Sequence, residues 1–244
     1  MAKKPELALS GYKNSNSIKP KNRLVIGVDG KEKEGKTTFA LSAPGPIAFI
    51  NMDIGLEGII HRVPKQKQIF VSEFNYRDAT NPTQWAEMWE GVKKDYMTAL
   101  ASPDVRTIVV DTATEMWELL RMARFGKLTQ VMPHHYGPVN AEYRDIVRKI
   151  YNTDKNLVLL HKVKAEYVND KTTGRYVRSG FSDTGYLVQV NLVSFRNMDG
   201  EFGMNIKDCR YDSELCGAEF FEPMNNFPTL ASMVYPDVDL SYWE

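Results

Sequence analysis

Short apolar runs alternate with stretches of helical period over residues 23–161, and the period changes beyond that point. Arg23-Leu24-Val25-Ile26-Gly27-Val28 reads as a strand, followed by a glycine-bearing loop and the helical stretch Lys36–Ser42. Ile47-Ala48-Phe49-Ile50 is a second strand and ends in the polar group Asn51-Met52-Asp53. Trp85, Met88, Trp89, Val92 and Tyr96 recur at three- and four-residue steps, which places them on the core face of a helix over Thr83–Ala101. Thr107–Asp111 is the next apolar strand, and a helix over Thr114–Phe125 follows it. Residues 126–138, with Gly126, Pro133, His134, His135, Gly137 and Pro138, read as a loop. A helix over Val139–Tyr151 then leads into the strand Leu157–His161. Strands alternating with helices predict a parallel sheet covered on both faces.

After His161 the runs around Lys164–Val168, Arg175–Phe181, Leu187–Phe195 and Glu201–Asp208 alternate at the strand period. Lys171-Thr172-Thr173-Gly174 and Asp199-Gly200 separate them as turns, so antiparallel strands extending one edge of the sheet are expected. The fold class is therefore α/β, with a mainly parallel sheet, helices on both faces and an antiparallel extension at one edge.

A chain of 244 residues with 43% hydrophobic positions supports one sizeable core. Lys+Arg and Asp+Glu are equal at 31 each, so a nucleic-acid surface would have to be local. Charge is uneven at the ends: Lys3, Lys4, Lys13, Lys19, Lys21 and Arg23 face only Glu6 in residues 1–23, while acids dominate from Tyr211 to Glu244. Such ends suit contact with partners or with each other, a solvated tail being the plain alternative. Cys209 and Cys216 build no disulfide framework, and no apolar run approaches the ~18 residues that span a bilayer. A reduced, soluble protein of the cytoplasm is expected, with no membrane partner.

Gly30-Lys31-Glu32-Lys33-Glu34-Gly35-Lys36-Thr37 matches G-x-x-x-x-G-K-[ST] between a strand and a helix, the context in which that pattern grips phosphates. Its glycines permit backbone angles that aim successive N–H groups at an anion. Lys36 is expected at the β- and γ-phosphates, and Thr37 on Mg²⁺ with Thr38 beside it. Acids inside the loop are unusual, so Glu32 and Glu34 are expected to point their side chains outward. Asp111, ending a buried strand, is the expected metal acid; a helix cap is the structural alternative. Asp53 or Glu115 would orient the attacking water, Asp53 being favoured because it ends the neighbouring strand.

These residues resemble the RecA-like recombinase ATPases. Ala48–Glu57 resembles that family's second core strand, where a catalytic Glu stands at the position of Asp53. The resemblance implies ATP and Mg²⁺, a γ-phosphate sensor at His161 or Lys162, and basic residues at Lys207 or Arg210 that complete the neighbouring subunit's site. A further resemblance is to the short phage ATPases of the Sak type, AAA-type nucleotide-binding proteins that anneal single strands. It covers about residues 23–222 and includes Tyr136-Gly137, Tyr143-Arg144 and Leu160-His161-Lys162. It implies a RecA-like domain at 23–222; residues 1–22, which mix Lys, Ser, Asn, Gly and Pro without periodicity, read as a flexible basic arm, and 223–244 as an acidic segment. The implied location is the host cytoplasm of a bacteriophage-encoded protein.

Between Lys162 and Arg178, cations interleave with Tyr167 and Tyr176. Lys164, Lys171, Arg175 and Arg178 could hold a backbone while the two rings stack bases, against the alternative of a solvated hairpin. His134-His135 could contact DNA or phosphate, although two adjacent loop histidines are commonly unremarkable. The expected function is an ATP-hydrolysing recombination protein that binds single-stranded DNA as a RecA-like ring or filament and promotes annealing or strand pairing, with a single-strand-binding protein as a further partner. The alternatives are a non-catalytic ATP switch in phage replication or packaging, and a nucleotide kinase.

Overall fold

The computed structural model describes residues 10–18, 21–128 and 131–244; Lys3, Lys4, Glu6 and Lys19 of the basic arm lie outside the described residues. Ten strands and six α-helices, with short 3-10 turns between them, make up the described fold. The first half contains β1 (Val25–Asp29), α1 (Lys36–Leu41), β2 (Ile47–Asn51), β3 (Ile69–Glu73), α2 (Pro82–Ala101), β4 (Thr107–Asp111) and α3 (Ala113–Phe125). The second contains α4 (Tyr136–Arg148), β5 (Asn156–His161), β6 (Val163–Val168), β7 (Lys171–Arg178), α5 (Thr184–Leu187), β8 (Val190–Arg196), β9 (Phe202–Cys209), β10 (Glu219–Phe221) and α6 (Phe227–Val234).

Eight strands form one sheet in the order β10-β9-β8-β1-β5-β4-β2-β3. From β8 to β3 every neighbouring pair is parallel, and β9 and β10 add antiparallel strands at one edge. β1, β4 and β5 are buried at every position, as their unbroken apolar runs require of strands covered on both faces. On one face α2, α3 and α4 pack Trp89, Tyr96, Trp117 and Tyr143 into a single core. The aromatics of α2 are core, their large rings removing apolar surface from water. Asn81 starts this helix by accepting a hydrogen bond from the Gln84 N–H, with Pro82 at its first position.

The opposite face is covered by α1, α6 and Trp243. The acid-bearing end of the chain is thus anchored: Phe227, Leu230, Ala231 and Trp243 are fully buried, while Asp237 and Asp239 stay exposed. Among the described residues, Asn22 and Arg23 meet the C-terminal segment through tyrosines. Tyr235 Oη donates to Arg23 O at 2.9 Å, and Tyr242 Oη to Asn22 O at 3.1 Å.

Four local expectations are corrected. β3 is an additional parallel strand, half-exposed at the sheet edge, where mixed polarity weakened its apolar signal. Of residues 126–138, Pro133–His135 form a 3-10 turn and Tyr136–Pro138 already belong to α4. Lys171–Gly174 lies within β7; the turn is Asn169-Asp170, two residues that tolerate the positive φ angles of 50° and 59° found there. Finally, β6 and β7 form their own two-stranded sheet instead of extending the large one, and β8 runs parallel to β1.

Candidate nucleotide site

The phosphate loop leaves β1 at Asp29 and enters α1 at Lys36. Gly30 is required by space, because a Cβ there would stand 1.9 Å from Ser194 Oγ on β8. Gly35 is required by conformation, with φ of 85°, and Lys33 shares the left-handed region at 61°. Glu32 is exposed, in keeping with an outward side chain, but Glu34 is not turned away. Its carboxylate accepts a hydrogen bond from the Lys31 N–H at 2.6 Å, so an anionic oxygen already occupies one of the loop's amides. The loop therefore accepts a negatively charged oxygen, and a phosphate would have to displace this one.

Lys36 Nζ donates to Gly30 O at 2.8 Å and also to Lys31 O. Burial holds its pKa below the usual lysine range, against the opposing pull of Asp111, Glu34 and Asp53. Thr37 Oγ1 donates to Asp111 Oδ2 at 2.7 Å. Asp111 is buried, which pushes its pKa up to about 6 even though the Thr37 hydrogen bond works the other way. A hydroxyl and a carboxylate held together in this way offer Mg²⁺ two hard oxygens and leave its other positions to phosphate and water. The turn Ile54–Leu56 passes over this pair, since a Cβ on Gly55 would lie 3.6 Å from Thr37 Oγ1. Thr38 is exposed on α1.

Because β5 lies between β1 and β4, its tip emerges between the loop and the Thr37–Asp111 pair. The residue at that tip, Lys162, pairs with Asp53 Oδ2 at 2.9 Å and with Glu115 Oε1. Burial works to lower its pKa, but the hydrogen bonds and charges of Glu115 and Asp53 outweigh it and raise the value. Glu115 is nearly inaccessible and also meets Arg77 at 3.4 Å. Asp53 is half-buried and opens on a cleft of about 630 Å³ that Asn51, Met52, Glu73, Phe74 and Arg77 also line. His161 is fully buried, and burial together with the Arg178 charge holds its pKa well below the ordinary histidine range. Of the two sensor candidates, Lys162 therefore reaches the site and His161 lies beneath it.

Lys207 is exposed on β9 and Arg210 follows that strand, donating to Tyr186 O at 3.0 Å; β8 separates both from β1. The β6–β7 hairpin exposes Lys164, Tyr167, Lys171, Arg175 and Tyr176. Lys31 of the phosphate loop lies over the Tyr176 ring, 4.0 Å from its centre. Arg178 is set apart from this surface, mostly enclosed in an ion pair with Asp29 at 2.5 Å. His134 and His135 are exposed and pack edge to face, 4.1 Å between ring centres. Asp29, Arg77 and the inward turn of Glu34 escaped the sequence reading. Asp29 carried a signal nonetheless, being a charged residue at the buried end of the strand that delivers the loop.

A family model described as "AAA domain" matches residues 22–202. No curated protein matches the chain. Among the described residues, no helix is long and apolar enough to cross a membrane.

Proposed function

The chain belongs to the AAA domain family, and on that premise we propose that it is a Mg²⁺-dependent ATPase of phage-type DNA recombination, acting on single-stranded DNA as a homo-oligomer. One observation carries this reading: the exposed hairpin of cations and tyrosines grows directly from Lys162, the residue that holds Asp53 and Glu115. A ligand on the hairpin and a phosphate at the loop would thus pull on neighbouring residues of one chain segment.

The N–H groups of residues 30–37 and the Lys36 ammonium receive the phosphates once Glu34 swings out. Mg²⁺, when bound through Thr37 and Asp111, supplies charge neutralisation at those phosphates. Lys162 exchanges a carboxylate for the γ-phosphate, which frees Asp53 to orient a water molecule and take up its proton. That water's oxygen forms the new bond to the γ-phosphorus while the bond to the bridging oxygen breaks, yielding ADP and phosphate. The half-buried position of Asp53, open to a cleft, favours it over the enclosed Glu115. On the hairpin, Lys164, Lys171 and Arg175 meet phosphates, and Tyr167 and Tyr176 stack bases. Lys207 or Arg210 would reach a neighbouring copy's nucleotide, and His161 supports Lys162 from below.

Phosphate release measured with and without single-stranded DNA tests the proposal; turnover that rises with DNA supports it. A second reading, an ATP switch without turnover, draws on the engagement of both candidate bases by Lys162. ATP binding with no phosphate release under either condition would select that switch, and DNA-free behaviour throughout would remove the recombination role.

A further inference from the structure

Arg178 closes the β6–β7 hairpin, yet its side chain turns inward beneath the phosphate loop. Its Nε donates to Asp29 Oδ1 at 2.5 Å and its Nη2 to Asn191 Oδ1 at 2.8 Å. The guanidinium rests against bare backbone of β1, since a Cβ on Gly27 would lie 3.0 Å from Nη2. Asn191 Nδ2 in turn donates to Gly185 O at 3.2 Å. One side chain thereby joins the hairpin root to β1 and to β8, which flanks it.

Asp29 is the last residue of β1 and directly precedes Gly30, and its carboxylate is almost wholly enclosed. Facing this end of β1 are Arg178 from β7, the neutral His161 from β5, its register partner, and Glu34 and Lys36 from the loop. Lys36 is committed to the loop carbonyls, so the pairing charge for Asp29 comes from Arg178.

We propose that Arg178 is a positioning residue of the nucleotide site: it neutralises the buried Asp29 carboxylate and braces the strand carrying the phosphate loop, so that a triphosphate does not meet an unpaired negative charge. This rests on the phosphate-site assignment, which Lys36→Ala tests separately. It is independent of whether the hairpin binds DNA.

Titration of the full-length chain with a fluorescent ATP analogue and Mg²⁺, alongside steady-state turnover and thermal unfolding, distinguishes the role from plain structural support. Arg178→Met should weaken ATP binding at least about tenfold, because removing one partner strands the other charge. The loss should appear mainly in KM. Asp29→Asn combined with Arg178→Met should return affinity to within about threefold of the unsubstituted chain, since the two charges leave together. Should Arg178→Met alone fail to fold, the double variant carries the test: ATP binding near the unsubstituted value supports the proposal, and loss of binding in a folded double variant overturns it. Normal affinity in a folded Arg178→Met overturns it as well. The salt dependence of single-stranded DNA binding should not change in either variant.

Discussion

The tips of β1, β4 and β5 and the β6–β7 hairpin adjoin at Lys162 but are built on opposite principles. At the strand tips each functional group is buried or held by a partner: Thr37 by Asp111, Asp53 and Glu115 by Lys162, Asp29 by Arg178. Along the hairpin Lys164, Tyr167, Lys171, Arg175 and Tyr176 stand in solvent, with Lys31 over Tyr176 as a link back to the loop. Enclosure fixes geometry and shifts pKa values, whereas exposure leaves side chains free to follow an irregular ligand. Substitutions at the tips should therefore change nucleotide affinity, turnover or stability according to the group removed, and those on the hairpin should change DNA binding alone.

The largest effect is expected from Lys36→Ala, which should weaken ATP binding more than about 100-fold while the circular dichroism spectrum stays unchanged, because the lysine supplies charge rather than packing. Normal nucleotide titration in the folded variant would refute the site. Next, Asp53→Asn should lower turnover by about 100-fold or more with ATP affinity retained, the scale of a lost general base. Glu115→Gln should be milder, and the reverse order would transfer the role to Glu115.

Asp111 allows a pH test of the enclosed region. Its folded pKa of about 6 lies above the unfolded value, so the folded state favours the protonated acid. The contribution of Asp111 to stability should be greatest below about pH 4 and fall as pH rises toward 6, with an integrated cost on the order of 2–3 kcal/mol. Asp111→Asn should remove that slope and raise the melting temperature at pH 7 while abolishing Mg²⁺-dependent turnover. Thermal unfolding at several pH values decides; a difference between the two proteins that ignores pH would contradict the burial account.

For the exposed region, removing Lys171 and Arg175 together should flatten the slope of log affinity against log salt for single-stranded DNA by about 1.4, with ATP affinity unchanged. Tyr176→Ala should reduce DNA affinity without moving that slope, since stacking releases no counterions. Fluorescence anisotropy at several salt concentrations reads both, and an unchanged slope in the double variant would take the hairpin out of the DNA site. Deleting the acidic end is no useful companion test, because Phe227, Leu230 and Trp243 belong to the core. The smallest effect is expected at Glu34: its replacement by Ala should tighten ATP binding a few-fold by freeing the Lys31 amide, a gain on the scale of about 1 kcal/mol for one exposed hydrogen bond. Weaker binding in that nucleotide titration would mean that the carboxylate supports the loop instead of competing.

Contiguous chemistry was legible in the chain itself. Gly30, Gly35, Lys36 and Thr37 lie within one strand-loop-helix unit, so their spacing alone points to a candidate phosphate site, and Asp111 stands out as an acid ending a fully buried strand. The parallel sheet was legible for the same reason, since strands buried on both faces leave uninterrupted apolar runs. Alternation along a strand reports which side faces the core but not which strand lies alongside, so β8 beside β1 and the departure of β6–β7 from the sheet were decided by packing. Arg178 read as one more exposed cation because its partner, Asp29, is 149 residues away. Only the fold brings that pair together, and only burial turns Asp111 into a group that titrates near pH 6, because desolvation depends on the neighbours that tertiary structure supplies.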